Sequence, residues 1–139
     1  MKLFLDTTVL LAASESPLGA SREIFQRAHL NDWTLLTTPY VLHEVARNLP
    51  DLSPHGVFDW KVLRLQLVVT DDISVMQRAE IPEGAKNNVI LFSALASAEA
   101  LLTLDESAFG SLMQNSFSGL VILRPGLFLQ QLRASGRLH

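Results

Sequence analysis

Three carboxylates in this chain stand where an α/β protein can do chemistry. Asp6 directly follows the apolar run "KLFL", and Asp105 directly follows "LLTL". Glu44 lies in the helical stretch "YVLHEVARNL", embedded among Val41, Leu42, Val45 and Ala46. Each acid also has an ordinary reading: Asp6 and Asp105 suit the N-caps of following helices, and Glu44 suits a helix edge turned to solvent. Brought together, like charges raise one another's pKa, so such a cluster is favourable mainly when Mg²⁺ or Mn²⁺ neutralises it. Hard cations with oxygen ligands and open water positions act on phosphate substrates.

The elements that must carry these acids follow from the apolar runs. Strands are expected at residues 2–5 ("KLFL"), 33–38 ("WTLLTT"), 65–70 ("LQLVVT"), 101–104 ("LLTL") and 119–124 ("GLVILR"). Helical stretches separate them: "TVLLAAS", "ASREIFQRAHLN" at 20–31, "YVLHEVARNL" after Pro39, "ISVMQRAE" capped by Asp71 or Asp72, "NVILFSALASAEA", and a last helix opened by Pro125. Residues 50–60 read as a loop or a small helical insertion. Strands without polar alternation, separated by helices, imply a mostly parallel sheet of about five strands covered on both faces. The expected fold is a three-layer α/β/α arrangement in a single domain over residues 1–139. In such sheets ligands bind outside the carboxyl ends of the strands, where Asp6 and Asp105 fall.

Composition narrows the class. The 139 residues are 48% hydrophobic and 18% charged, enough apolar content for one core and too little charge for long disorder. There is no cysteine, which excludes disulfides and thiolate metal sites and fits a reducing cytoplasm. The opening "MKLFLDTTVLLAAS" has the outline of a signal peptide, but Asp6 interrupts its apolar run at a cost of about 2.5–3.5 kcal/mol for membrane insertion. A buried strand ending in an acid is the better reading, and no apolar run approaches the roughly 20 residues of a membrane helix. Eleven basic against fourteen acidic residues, a formal charge of -3, is low for a nucleic-acid binder, although a bound cation would supply local positive charge.

The order "LDTTVLLAA", "PYVLHEVARNL", "KNNVILFSALASAEALLTLDESAF" resembles the pattern of PIN domains, small metal-dependent ribonucleases that include VapC-type toxins. The resemblance implies that Asp6, Glu44 and Asp105 are ligands to Mg²⁺ or Mn²⁺, and that Thr8 and Thr103 are small polar residues beside the metal. It implies RNA as substrate, a homodimer, an antitoxin covering the acidic cleft, and no membrane. At two positions the chain departs from the pattern. Asn87 stands where the family has a helix-start Asp, and Ala108 stands where a further acid often precedes a Phe. An Asn oxygen can ligate Mg²⁺ but brings no charge, so Asn87 would at most position a water. Lys86, Arg47 and Arg22 are candidates for contact with the RNA backbone, with surface solvation as the alternative for each.

Other readings compete. A PIN scaffold with a weakened acidic site could bind nucleic acid or protein without efficient cleavage, in keeping with Asn87 and Ala108. A haloacid-dehalogenase-like phosphatase needs an Asp where Thr8 stands, and a response-regulator receiver needs a Lys where Arg124 and Pro125 stand. No phosphate-binding Gly motif is present. His43 reads as packing or solvent-facing. Trp33, Trp60 and Tyr40 are scattered along the chain and read as core or edge packing rather than base stacking.

Overall fold

A computed structural model of the chain describes residues 1–74, 88–110, 112–113 and 116–139. Its centre is β1 (Lys2–Leu5), whose Leu3, Phe4 and Leu5 have no exposed surface. Beside it lie β2 (Thr34–Thr37) and β4 (Ala100–Leu102), both parallel to it. The sheet extends through β3 (Val68–Val69) on one side and β6 (Leu120–Leu123) on the other, again in parallel. A short β5 (Ser116–Phe117) closes the far edge antiparallel to β6, giving the order β3-β2-β1-β4-β6-β5. Ser118 and Gly119, both at positive φ, form the two-residue hairpin between β5 and β6 that such tight turns require. The sheet therefore has five parallel strands, as expected, and a sixth short one that the apolar pattern did not reveal.

Helices α1 (Thr7–Glu15) and α2 (Ala20–Arg27) connect β1 to β2. Helices α3 (Pro39–Asn48) and α4 (Pro54–Leu63) lead from β2 to β3. Helix α5 (Val89–Ser97) precedes β4, the single turn α6 (Glu106–Phe109) follows it, and α7 (Pro125–Ala134) ends the fold. Helix α1 packs on α2, α3 and α4, and α2 packs on α7, where Trp33 meets Phe128 with ring centroids 5.3 Å apart. Helix α5 packs on β1 and β4; reversing the winding sense after β3 sends its connection to the opposite face, which completes the three layers. Among the described residues no helix is long and apolar enough to cross a membrane.

Several expected boundaries move, each for a local reason. The third strand shrinks from 65–70 to two residues because Arg64–Gln66 wind into a 3-10 turn, and an edge strand has one neighbour to hold it. The fourth ends at Leu102, and Thr103 leaves the strand while its N–H still bonds Leu123 O at 3.0 Å. The irregular stretch after residue 50 is a helical insertion: Ser53 caps α4 through Gly56 N, with Pro54 in the first turn. The helix expected over "ISVMQRAE" falls mostly outside the described residues. Asp72 accepts from Tyr40 N (3.0 Å to Oδ2) and so serves the first turn of α3.

Candidate active site

In the order β3-β2-β1-β4-β6, successive connections run one way from β1 and then back to β4. The switch lies between β1 and β4, and the crevice at their carboxyl ends is the natural ligand site of this architecture. Asp6 leaves β1 there, and Thr103, Leu104 and Asp105 leave β4 beside it. The crevice opens into a cleft of about 560 Å³. Asp6, Thr7, Thr8, Glu44 and Asp105 line it together with Tyr40, Asn48, Asn88 and Ala108, and Leu11, Val89, Ile90 and Phe109 supply apolar wall.

Asp6 is the anchor. It is 2% exposed, and its Oδ1 accepts from Val9 N (3.1 Å) as the N-cap of α1 and from Thr8 Oγ1 (2.6 Å). Its Oδ2 accepts from the hydroxyl of Thr103. The two threonines are themselves fixed from the loop after β4, since Leu104 N donates to Thr8 Oγ1 and Asp105 N donates to Thr103 Oγ1, each at 3.0 Å. Burial nevertheless holds the Asp6 carboxyl above its ordinary pKa; the hydroxyls of Thr103 and Thr8 pull it down, and the charge of Asp105 adds to the rise. A buried acid under that pressure is a site at which a proton or a cation is welcome.

Asp105 caps α6 through Ala108 N (3.1 Å) and accepts from Ser107 Oγ (2.6 Å). That hydroxyl, ahead of the smaller opposing effect of burial, draws its pKa below the ordinary value. For Asp6 and Asp105 the capping and site readings are thus not alternatives: each carboxylate caps a helix and faces the cleft. Glu44 reaches the cleft from α3, whose Val41 and Val45 fill the core. Thr7 Oγ1 donates to its Oε1 at 2.7 Å, and Arg47 stands 4.0 Å from its Oε2.

The donor set is oxygen throughout: three carboxylates and the hydroxyls of Thr7, Thr8 and Thr103. That chemistry fits a hard cation such as Mg²⁺ or Mn²⁺. The geometry is more open than a closed cage. Among the described residues no three His, Cys, Asp or Glu side chains stand close enough to hold an ion by themselves. Asn87 and Lys86 lie outside the described residues. Asn88 caps α5 through Leu91 N (3.0 Å), and Ala108 lines the cleft beside Asp105 without adding a charge.

Some sequence expectations are corrected. Arg22 does not line the cleft. Its guanidinium bonds Ala13 O (2.6 Å), Ser14 O (3.2 Å) and Asp59 Oδ2 (2.7 Å), tying the end of α1 to α2 and α4. Trp33 and Trp60 are buried as expected, but Tyr40 is 43% exposed on the cleft wall. Thr7 was not singled out: a hydroxyl next to an acid carries no sign of which helix it will reach. The doublet Thr7-Thr8 after Asp6 was the available hint. His43 is exposed and outside the cleft lining, in keeping with the solvent-facing reading.

No protein-family model matches the chain, and no curated protein matches it in sequence. Solved structures similar in fold include two of low sequence identity. One is PAE2754 from Pyrobaculum aerophilum, 13% identical, with a TM-score of 0.63 over 96% of this chain and 90% of that one. The other is a chain in the crystal structure of VapBC2 from Rickettsia felis bound to a DNA fragment from their promoter, 16% identical, with a TM-score of 0.57 over 88% of this chain and 97% of that one. At these identities the likeness is one of fold, and it supports the PIN-like three-layer architecture.

Proposed function

We propose that the chain, acting as a single domain over 1–139, is a Mg²⁺- or Mn²⁺-dependent ribonuclease of the VapC type, the toxin of a toxin–antitoxin pair. The observation that carries this reading is the buried Asp6 at the β1/β4 switch point. It is gripped by Thr8 and Thr103, with Asp105 beside it and Glu44 on the same cleft. Asp6, Asp105 and Glu44 would hold the metal, which when bound supplies charge for the phosphate oxygens and lowers the pKa of water. Hydrolysis would join the oxygen of a water to phosphorus and break the bond to the leaving sugar oxygen, with the proton given up by the water ending on that oxygen. Asp6 is held in one orientation by its three donors, so the charge it offers is preorganised. Asn87 would orient the water, and Arg47 and Lys86 would steady the RNA backbone. An antitoxin covering the cleft, a homodimer and a cytoplasmic location belong to the same reading; the likeness in fold to a chain of the VapBC2 complex supports the antitoxin partner and the dimer.

A second reading is favoured by Asn87, by Ala108 and by the open arrangement of the acids: a PIN scaffold that binds RNA or protein with little cleavage. Calorimetric titration of Mn²⁺, run beside cleavage of labelled single-stranded RNA, separates the two. Metal-dependent cleavage that disappears in Asp6→Asn supports the nuclease. Binding and cleavage that emerge only in Asn87→Asp support the weakened scaffold.

A further inference from the structure

Tyr40, Glu44 and Asn48 recur at intervals of four on α3 and all line the cleft, so one stripe of this helix carries an aromatic ring, an acid and an amide in register. Most of the chain's large aromatic rings are packed away: Trp33 is 9% exposed, Trp60 3%, and Phe4, Phe92 and Phe109 at most 2%. Tyr40 is left 43% exposed on the wall of the cleft that Asp6, Glu44 and Asp105 also line. Its placement is nonetheless firm. Pro39 precedes it in the first turn of α3, and the Asp72 carboxylate holds its backbone N–H at 3.0 Å. Asn48 donates to Glu44 O (2.8 Å), and among the described residues its Oδ1 accepts no hydrogen bond.

We infer that Tyr40 is the stacking platform of the cleft: it receives the face of a nucleobase next to the scissile phosphate and so selects single-stranded over double-stranded RNA. The inference rests on the ribonuclease reading and deepens it. A flat, half-exposed ring next to a phosphate-handling site suits a base, whose π-face stacks without regard to sequence. Asn48, two turns further along α3, offers a free acceptor to an exocyclic amine of a neighbouring base. Bases in a duplex have both faces occupied and cannot use the ring.

The test is fluorescence anisotropy of short, phosphorothioate-protected single-stranded RNA with Mn²⁺, comparing the unaltered protein with Tyr40→Phe and Tyr40→Ala. Each is measured on intact RNA, on the same RNA with abasic sites, and on a duplex. Tyr40→Ala is expected to raise Kd about 5- to 30-fold on intact single strands. Tyr40→Phe, which keeps the ring, leaves Kd unchanged, and the alanine penalty vanishes on abasic RNA. Equal affinity of Tyr40→Ala and the unaltered protein for intact RNA overturns the stacking role and leaves the nuclease reading standing. An equal penalty on intact and abasic RNA overturns it too, since that marks a structural effect. Failure of the unaltered protein to bind any RNA overturns both.

Discussion

The hydroxyl of Thr103 donates to Oδ2 of Asp6 across 97 positions of sequence, joining the ends of the two central strands. Thr8 repeats the arrangement on Oδ1, and each threonine oxygen in turn accepts a backbone N–H from the loop after β4. The carboxylate is thus held by two relays that start in the Thr103–Asp105 segment. Moving that segment would move Asp6, and the two acids of the switch point behave as one unit.

Thr103→Val keeps the shape of the side chain and removes both its donor and its acceptor. Asp6 loses a partner, and the N–H of Asp105 loses its acceptor. The expected cost is about 1–3 kcal/mol, together with a fall in Mn²⁺ affinity of about 10- to 100-fold. Thermal unfolding and calorimetric titration measure the two effects, and Thr103→Ser is expected to restore both. Restoration of stability without restoration of affinity would separate the relay from metal binding.

Asp6 gives the protein a pH dependence of unusual sign for a carboxylate. Its folded pKa lies above the ordinary 3.8, chiefly through burial, so between those values the folded chain holds more protons than the unfolded one. Stability then falls as the pH rises through that window and stays lowered above it. Asp105 acts oppositely: its depressed pKa contributes stability present above 3.8 and lost as the pH falls through its folded value. In Asp6→Asn the first contribution disappears while Asn still caps α1. Without divalent ions, the stability of the variant relative to the unaltered protein is expected to rise as the pH rises through that window and to fall back toward acid. A melting-temperature profile from pH 3 to 8 that runs parallel for the two proteins would refute this account of Asp6.

How much of this was legible depends on whether a residue's role is local. Asp6 and Asp105 could be found because an apolar run ending in an acid marks a strand end, and the cap each makes is a contact within three residues. Glu44 was visible as an acid misplaced in an apolar helix. The partners were not visible. Thr7 bonds a residue 37 positions away, and Arg22 looked like the solvent face of an amphipathic helix until the carbonyls at the end of α1 closed over it. Tyr40 seemed one of three scattered aromatics because the helical stripe it shares with Glu44 matters only once the cleft's side is known. The run "LQLVVT" announces β3 but not how little of it pairs at the sheet edge, and β5 exists through its neighbour, with no pattern of its own to announce it.

Thr7→Val tests whether the orientation of Glu44 matters. The Thr7 hydroxyl fixes Oε1 at 2.7 Å, and Arg47 at 4.0 Å is a weaker restraint on the other oxygen. Glu44 is a quarter exposed, so the stability cost is expected to be small, about 0.5–1.5 kcal/mol. The fall in Mn²⁺ affinity is expected to be larger, about tenfold, with Thr7→Ser close to the unaltered protein. Titration with Mn²⁺ decides it: an affinity unchanged in Thr7→Val would remove Glu44 from the metal site or show that its orientation is immaterial.

Arg22→Ala distinguishes a structural guanidinium from an RNA contact. The side chain closes two carbonyls at the end of α1 and pairs with Asp59, with side-chain exposures of 14% and 26% for the two partners. Removing it leaves those carbonyls and the Asp59 charge without their donor in a half-buried setting. The expected loss is about 2–3 kcal/mol, a melting temperature lower by roughly 5–10 °C. Because the group does not reach the cleft, RNA affinity measured well below the melting temperature is expected to match that of the unaltered protein. Asp59→Asn in the same background should then cost little more, since its partner is already gone. The opposite pattern, intact stability with weakened RNA binding and a shallower salt dependence, would return Arg22 to the RNA-binding surface.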